Sequence, residues 1–323
     1  MSQQIKVTRE FDATGATLLG IGGYPYLSGG KILFVDYLRG VDGNEGTNPN
    51  YPKKTIANAF DNLTYSQSTA WKNDYIFVIA SKDQDDAATI TPSSSTASAH
   101  WHLIGLTNAN PTFGVVLRMD SDNTTAACMS LWETGFESEV AGISFGGGED
   151  GGGGIDVAQT HGLWIHHCYF GHSFCGDTPD FGIYATKMAN AENMLIEDNT
   201  FWGDQNDSRG KLAVDGIRLQ GPTPEINLMI KNNVFMGITG IAINIDSTGG
   251  VITGNQISCD ANTAGAAITL GTYSYGCWLN NNYANHGDTN AMVASPWVDN
   301  SAGGTDANTW CLNYKGGAAS YPA

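Results

Sequence analysis

Between residues 140 and 284 the chain repeats one short phrase: an aliphatic residue, two variable residues, usually Asn, one more variable residue, then a hydrophobic one. The copies are Val140-Ala-Gly-Ile143-Ser-Phe145, Ile165-His-His-Cys168-Tyr-Phe170, Ile196-Glu-Asp-Asn199-Thr-Phe201, Ile230-Lys-Asn-Asn233-Val-Phe235, Ile252-Thr-Gly-Asn255-Gln-Ile257 and Leu279-Asn-Asn-Asn282-Tyr-Ala284. Counted at the fourth position they are 25, 31, 34, 22 and 27 residues apart. An elastic interval around a fixed phrase describes a coil with constant walls and variable loops, and self-similarity in this range points to solenoids, propellers or arrays.

A second pattern runs in step with the first. Gly154-Ile155, Gly182-Ile183, Gly216-Ile217 and Gly240-Ile241 each open a short run of alternating apolar and polar residues, as in Ile241-Ala-Ile243-Asn-Ile245, and Ala267-Ile268-Thr-Leu270 follows suit. Period-two alternation bounded by Gly and Asn marks half-buried strands, so each coil holds at least two of them. Stacked coils set like residues over like. Ile165, Ile196, Ile230, Ile252 and Leu279 are expected to form one internal column, and Phe170, Phe201, Phe235 and Ile257 another. Asn199, Asn233, Asn255 and Asn282 are expected at sharp bends between strands, which Asn tolerates, with their amides bonded one to the next. Cys168 and Ile143 take the same slot and would end that ladder. The predicted fold is all-β, and it resembles a right-handed parallel β-helix.

The amino-terminal region reads as a cap. Ile32-Leu-Phe34-Val35-Asp36 suggests a strand, Gly40 to Gly46 a loop, and Ile56, Phe60 and Leu63 fall at helical spacing after Pro52. This order of strand, Gly- and Asp-rich loop, Pro52-Lys-Lys-Thr55-Ile56 and helix resembles the opening of pectate-lyase-like β-helix proteins. Further strands are predicted at Tyr75 to Ile79, His102 to Gly105 and Val115 to Leu117. The expected organisation is an arm over 1–30, a cap over 31–73, the β-helix over 74–284, and a non-repeating tail over 285–323. Neither end carries enough periodic apolar character to fold alone, so a neighbouring subunit is expected to hold them.

Composition fits this architecture. Gly numbers 41 among 323 residues and charged residues make up only 15%, as suits a turn-rich β protein. With 32 acidic and 15 basic residues the net charge is −17, which repels nucleic acid and anionic lipid, so neither nucleic acid nor membrane is expected as a partner. The first residues show no apolar stretch of the kind that directs secretion, and cytoplasmic assembly is expected. Cys128, Cys168, Cys175, Cys259, Cys277 and Cys311 follow no disulfide or CxxC spacing and are expected to be mostly buried thiols.

Gly142-Ile-Ser144-Phe-Gly146 matches GxSxG in form, but that motif needs a strained strand-to-helix turn, and here it lies inside a predicted strand. His166, His167, Cys168, His172 and Cys175 include good zinc-ligand types, although neighbouring residues on a strand should face opposite ways. Asp177, Asp180, Asp204, Asp207 and Asp215, with Arg218, are placed to converge on one flank. Pectin-degrading β-helix enzymes use clustered Asp, with Ca²⁺ in the lyases or as acid and base in the hydrolases, but the motifs of those families are missing here. Trp164, Trp202 and Trp278 are suited equally to stacking on sugars and to filling gaps between coil and loop. No catalytic, cofactor-binding or metal-binding residue is assigned.

A β-helix with an arm at one end and a tail at the other resembles phage virion proteins such as capsid decorations and tailspikes. The resemblance implies a non-enzymatic structural role in the virion, a homo-oligomer with a trimer favoured, and contact with other virion proteins such as the major capsid protein. Attachment would use the arm around 1–30, including Tyr24 and Tyr26. The alternative expectation is a polysaccharide depolymerase or glycan-binding spike, meeting a host surface glycan in an acidic groove near Trp202, Asp204, Asp215 and Arg218.

Overall fold

In a computed structural model, the protein is described over residues 30–63, 73–79, 84–86, 89–92, 100–106, 115–119, 127–131, 137–146, 153–171, 181–185, 192–203, 215–221, 225–238, 240–259, 266–286, 296–302, 307–315 and 318–319. Three long sheets run the length of the chain, of ten, ten and seven strands among the described residues. Each strand pairs in parallel with the corresponding strand one coil away, which makes the fold a parallel β-helix. Among the described residues the exception is antiparallel, where Ala318–Ala319 folds back on Tyr314–Lys315.

The first sheet carries the aliphatic column. Leu33, Ile76, Leu103, Val140, Ile165, Ile196, Ile230, Ile252, Leu279 and Trp310 stand in register one above the next. The second sheet carries Leu117, Phe145, Phe170, Phe201, Phe235, Ile257 and Ala284 in the same manner. Its rings stack nearly parallel, with centroids 5.2, 4.8 and 4.6 Å apart from Phe145 to Phe235. Met129, Ile155, Ile183, Ile217, Ile243, Ile268 and Trp297 form the third column. Nearly all of these residues are buried, in one continuous core. The core is a stack of identical layers, so each coil is stabilised by covering its neighbours.

The two sequence patterns run in step for a steric reason. A Cβ on Gly154, Gly182 or Gly216 would come within 2.7 Å of the ring of Phe170, Phe201 or Phe235 respectively. Over the next two coils the column shrinks to Ile257 and Ala284, and Ala242 and Ala267 occupy the glycine position. The alignment expected for Gly240-Ile241 is therefore shifted by two residues, since Ile217 pairs with Ile243.

The Asn ladder is present and longer than expected. Asn199 donates its side-chain amide to Asn233 at 3.1 Å, Asn233 to Asn255 at 3.1 Å, Asn255 to Asn282 at 2.9 Å and Asn282 to Asn313 at 2.9 Å. Each amide also donates to a backbone carbonyl of the preceding coil, as Asn233 does to Ile196 at 3.0 Å. Cys168 ends the ladder, its backbone N–H donating to Asn199. The reason expected for Asn is only half right. The residue in left-handed conformation is the one before it: Gly142, His167, Asp198, Asn232, Gly254, Asn281 and Leu312 all have φ between 51° and 68°. The ladder Asn is there for its amide, and its predecessor makes the bend.

The coil does not stop at residue 284. Trp297–Asp299, Thr309–Cys311 and Tyr314–Lys315 continue all three sheets, so much of the expected tail is a further turn of the helix. Trp310-Cys-Leu-Asn313-Tyr-Lys315 is a seventh copy of the phrase, disguised by Trp at its aliphatic position and Lys at its last. At the other end Ile32–Val35 is the first strand of the first sheet. The helix Ile56–Asp61 begins at Thr55, whose hydroxyl accepts from the Asn58 N–H, and it buries Ile56, Ala59 and Phe60 against the coil. Phe60 meets Trp101 edge to face at 5.0 Å. The buried Lys53 ammonium donates to the Asn44 carbonyl and the Asn58 side chain, both at 2.8 Å, and ties the Gly40–Gly46 loop to the helix.

Candidate functional site on the outer face of the first sheet

Residues flanking the aliphatic column point outward, and in the early coils they are titratable. His102 precedes Leu103, Glu139 precedes Val140, and His166 follows Ile165. Coil stacking joins these three, which are 37 and 27 residues apart. One Glu139 oxygen lies 2.5 Å from His102 Nδ1 and the other 2.7 Å from His166 Nε2. All three side chains are buried. Tyr75 stacks on His102 at 4.4 Å and Trp164 stacks on His166 at 3.9 Å, so rings cover the chain from outside. Burial alone would raise the Glu139 carboxyl, but the hydrogen bonds from His102 and His166 outweigh it and hold the group near a pKa of about 2. Glu139 is therefore ionised, and the ring nitrogens facing it are donors.

His167 extends the chain to the surface. Its Nδ1 lies 2.7 Å from His166 Nδ1. The two rings were expected on opposite faces, and the structure brings them together. The strand Trp164–His166 ends before His167, which takes the left-handed bend with φ 52°, and the change of backbone direction swings its ring beside that of its neighbour. His167 is exposed, at a cleft of about 440 Å³ along the corner between the first and second sheets. Ile104, Leu106 and Ala141 give the cleft an apolar wall, and Tyr169, Asp198 and Thr200 give it a polar rim.

Other sequence candidates fare differently. The Cys168 thiol faces the core, where burial pushes it up to about 12, so it is neither a nucleophile nor a ready metal ligand. Among the described residues no cluster of three or more His, Cys, Asp or Glu is placed to hold a metal ion. His172 and Cys175 lie outside the described residues. Ser144 is buried in the strand Ile143–Gly146, the wrong setting for a nucleophile. Asp177, Asp180, Asp204 and Asp207 lie outside the described residues, as do Tyr24 and Tyr26 of the arm. Asp215 has both oxygens committed, one accepting from the Ile241 N–H at 2.7 Å and the other from the Asn244 amide at 3.4 Å. Arg218 lies over the Phe181 ring at 5.1 Å. The three tryptophans do not share one groove. Trp202 sits on the second sheet against Tyr169, while Trp164 and Trp278 lie in one outward row of the first sheet.

No family model matches the chain, nor does any curated protein. Among solved structures it is similar to an alginate lyase from a Paenibacillus species, with 12% identity and a TM-score of 0.31 over 75% of this chain and 93% of that one. Likeness at that level carries nothing about activity.

Proposed function

We propose that this chain is a structural component of a phage virion, a capsid decoration or spike protein whose stiff coil is held to the particle through its terminal arm. The supporting observation is the unbroken interior. Ten residues stack in register along the first sheet, and five Asn amides bond from coil to coil beside them. A solenoid in which every layer is bonded to the next resists bending and needs no disulfide, as suits a projecting spacer. The phage assignment rests on the sequence resemblance, and so do assembly as a homo-oligomer, with a trimer favoured, and contact with the major capsid protein.

The test is attachment. The full chain is expected to co-purify with virus particles, and deletion of residues 1–30 is expected to release it while thermal melting of the coil stays the same. Full particle binding by the truncated chain would remove the arm from the proposal. Failure of the intact chain to associate with particles would remove the proposal itself. The alternative of a depolymerase centred on Asp215 gains nothing from the described residues, because that carboxylate is committed to holding a neighbouring strand.

A further inference from the structure

The exterior chain of His102, Glu139, His166 and His167 is not repeated along the coil: in later coils the row of His102 and Glu139 continues as Leu195, Met229 and Val251, and the row of His166 as Glu197, Lys231 and Thr253. Its proton positions follow from its geometry. Glu139 is an acceptor on both oxygens, so His166 carries its proton on Nε2. With His166 neutral, its Nδ1 lone pair faces His167, and the 2.7 Å contact then places the proton of His167 on Nδ1. That leaves His167 Nε2 as a lone pair on the exposed ring at the cleft. A proton taken up there puts positive charge on the pair, and the buried Glu139 carboxylate lies directly behind to stabilise it. This is the logic by which a carboxylate fixes a tautomer and strengthens a histidine base.

We propose that the corner cleft is a hydrolytic site for small acyl esters, with His167 as general base and His166 and Glu139 as its positioning residues. His167 Nε2 takes a proton from water, the water oxygen bonds to the acyl carbon, and the ester C–O bond breaks. The alcohol or phenol leaves with the pair of electrons from that bond, and the imidazolium returns its proton to the leaving group or to solvent. Tyr169 and Thr200, on adjacent rungs of the second sheet, line the same cleft, and Thr200 carries a hydroxyl suited to donate to the developing oxyanion. Ile104, Leu106 and Ala141 offer an apolar wall to the acyl group. Glycoside hydrolysis fits less well, because it calls on two carboxyl groups, one of them protonated. Here Glu139 is enclosed and ionised, and Asp198 is the carboxylate that lines the cleft.

The titratable and charged groups around His167 are His166 in contact with it, Glu139 behind that ring, Asp198 and Tyr169 in the cleft, and the Glu197–Lys231 ion pair on the next strands.

The experiment uses p-nitrophenyl acetate with the full chain and follows release of p-nitrophenolate across pH. The wild type is expected to exceed His167→Asn by at least about tenfold at neutral pH, and Asn keeps the left-handed bend accessible. The rate should rise with deprotonation of one group, and Glu139→Gln and His166→Phe should each move that midpoint to lower pH. Nitrogen NMR of the wild type should show His167 protonated on Nδ1 and bare on Nε2, a reading that does not depend on any variant folding. Equal rates for the wild type and His167→Asn would overturn the proposal, as would a neutral His167 that carries its proton on Nε2. Particle attachment is a separate readout, so this inference and the structural role fail independently.

Discussion

Two polar chains run along the same coil, one inside and one outside, and they differ in how they end. The interior chain joins Asn199 to Asn313 by uncharged amides. Every member donates to the next amide or to a carbonyl of the coil before, and Cys168 closes one end with its backbone N–H. The exterior chain joins His102 to His167 through an ionised carboxylate and ends on an exposed ring. Both rest on the spacing that stacks one coil on another. The closed chain only holds the structure together, whereas the open one has an atom left over with which to do something else.

Breaking the interior ladder at its middle should have the largest effect. Asn233→Leu keeps the volume but removes the acceptor for the backbone and side-chain N–H groups of Asn199, and the donor to Ile196. Three buried hydrogen bonds lost at about 1–3 kcal/mol each come to roughly 3–9 kcal/mol in all, much of the stability of an ordinary domain. Urea unfolding should show this loss equally at pH 4 and pH 8, because no ladder member titrates in that range. A loss that changed with pH would contradict the distinction between the chains.

The exterior chain should behave in the opposite way. The Glu139 carboxyl is depressed to about 2 from 4.5. A depressed folded-state value means stability that is fully present above the unfolded value and lost as pH falls through the folded one. The contribution should therefore hold above about pH 4.5 and vanish toward pH 2, and it is on the order of 3 kcal/mol at neutral pH. Glu139→Gln should destabilise the coil at pH 7 and lose that deficit in acid. A deficit that persists at pH 2 would mean Glu139 acts through packing alone.

Much of the interior was legible in the sequence, and the exterior was not, for a definite reason. Ile165, Ile196, Ile230 and their equivalents recur once per coil in residues of one type, so their column shows as a repeat. Glu139 and His166 share the coil spacing but no type, and they lie on opposite sides of the phrase's first residue. They appear together only if the copies are aligned and the outward positions read down: Tyr75, His102, Glu139, Trp164 in one row and His166, Glu197, Lys231 in the other. The left-handed bend that turns His167 toward His166 shows in the third position of the phrase, where Gly, Asp and Asn predominate. The pairing of Gly216 with Phe235 was visible as two patterns in step, but their cause was steric and needed the interior.

That steric pairing sharpens the contrast from the packing side. Gly216→Ala puts a methyl group 2.7 Å from both the Phe235 ring and the Ala242 carbonyl, a crowding expected to cost about 1–3 kcal/mol. Adding Phe235→Leu should recover part of that loss, since the ring is one of the two obstacles. A double-mutant cycle in urea reads the coupling directly. No recovery would assign the cost to the carbonyl alone and separate the glycine pattern from the Phe column.

The smallest effect is expected at Asp215, the exterior carboxylate that the sequence had singled out. Burial raises its pKa, outweighing its bonds to the Ile241 N–H and Asn244 and the charge of Arg218, so its environment works against ionisation where that of Glu139 works for it. A raised folded-state value gives stability that grows as pH falls, and at neutral pH the ionised group is a burden on the folded state. Asp215→Asn keeps an oxygen for the Ile241 N–H and removes the charge. It should leave the coil within about 1 kcal/mol of the wild type at pH 7, on the stabilising side, and the difference should shrink at pH 4. Ester hydrolysis should be unchanged, because His167 belongs to another corner of the coil. A loss beyond about 2 kcal/mol would show that the ionised carboxylate is a structural tie in its own right, and that Glu139 is not set apart by its two imidazole donors.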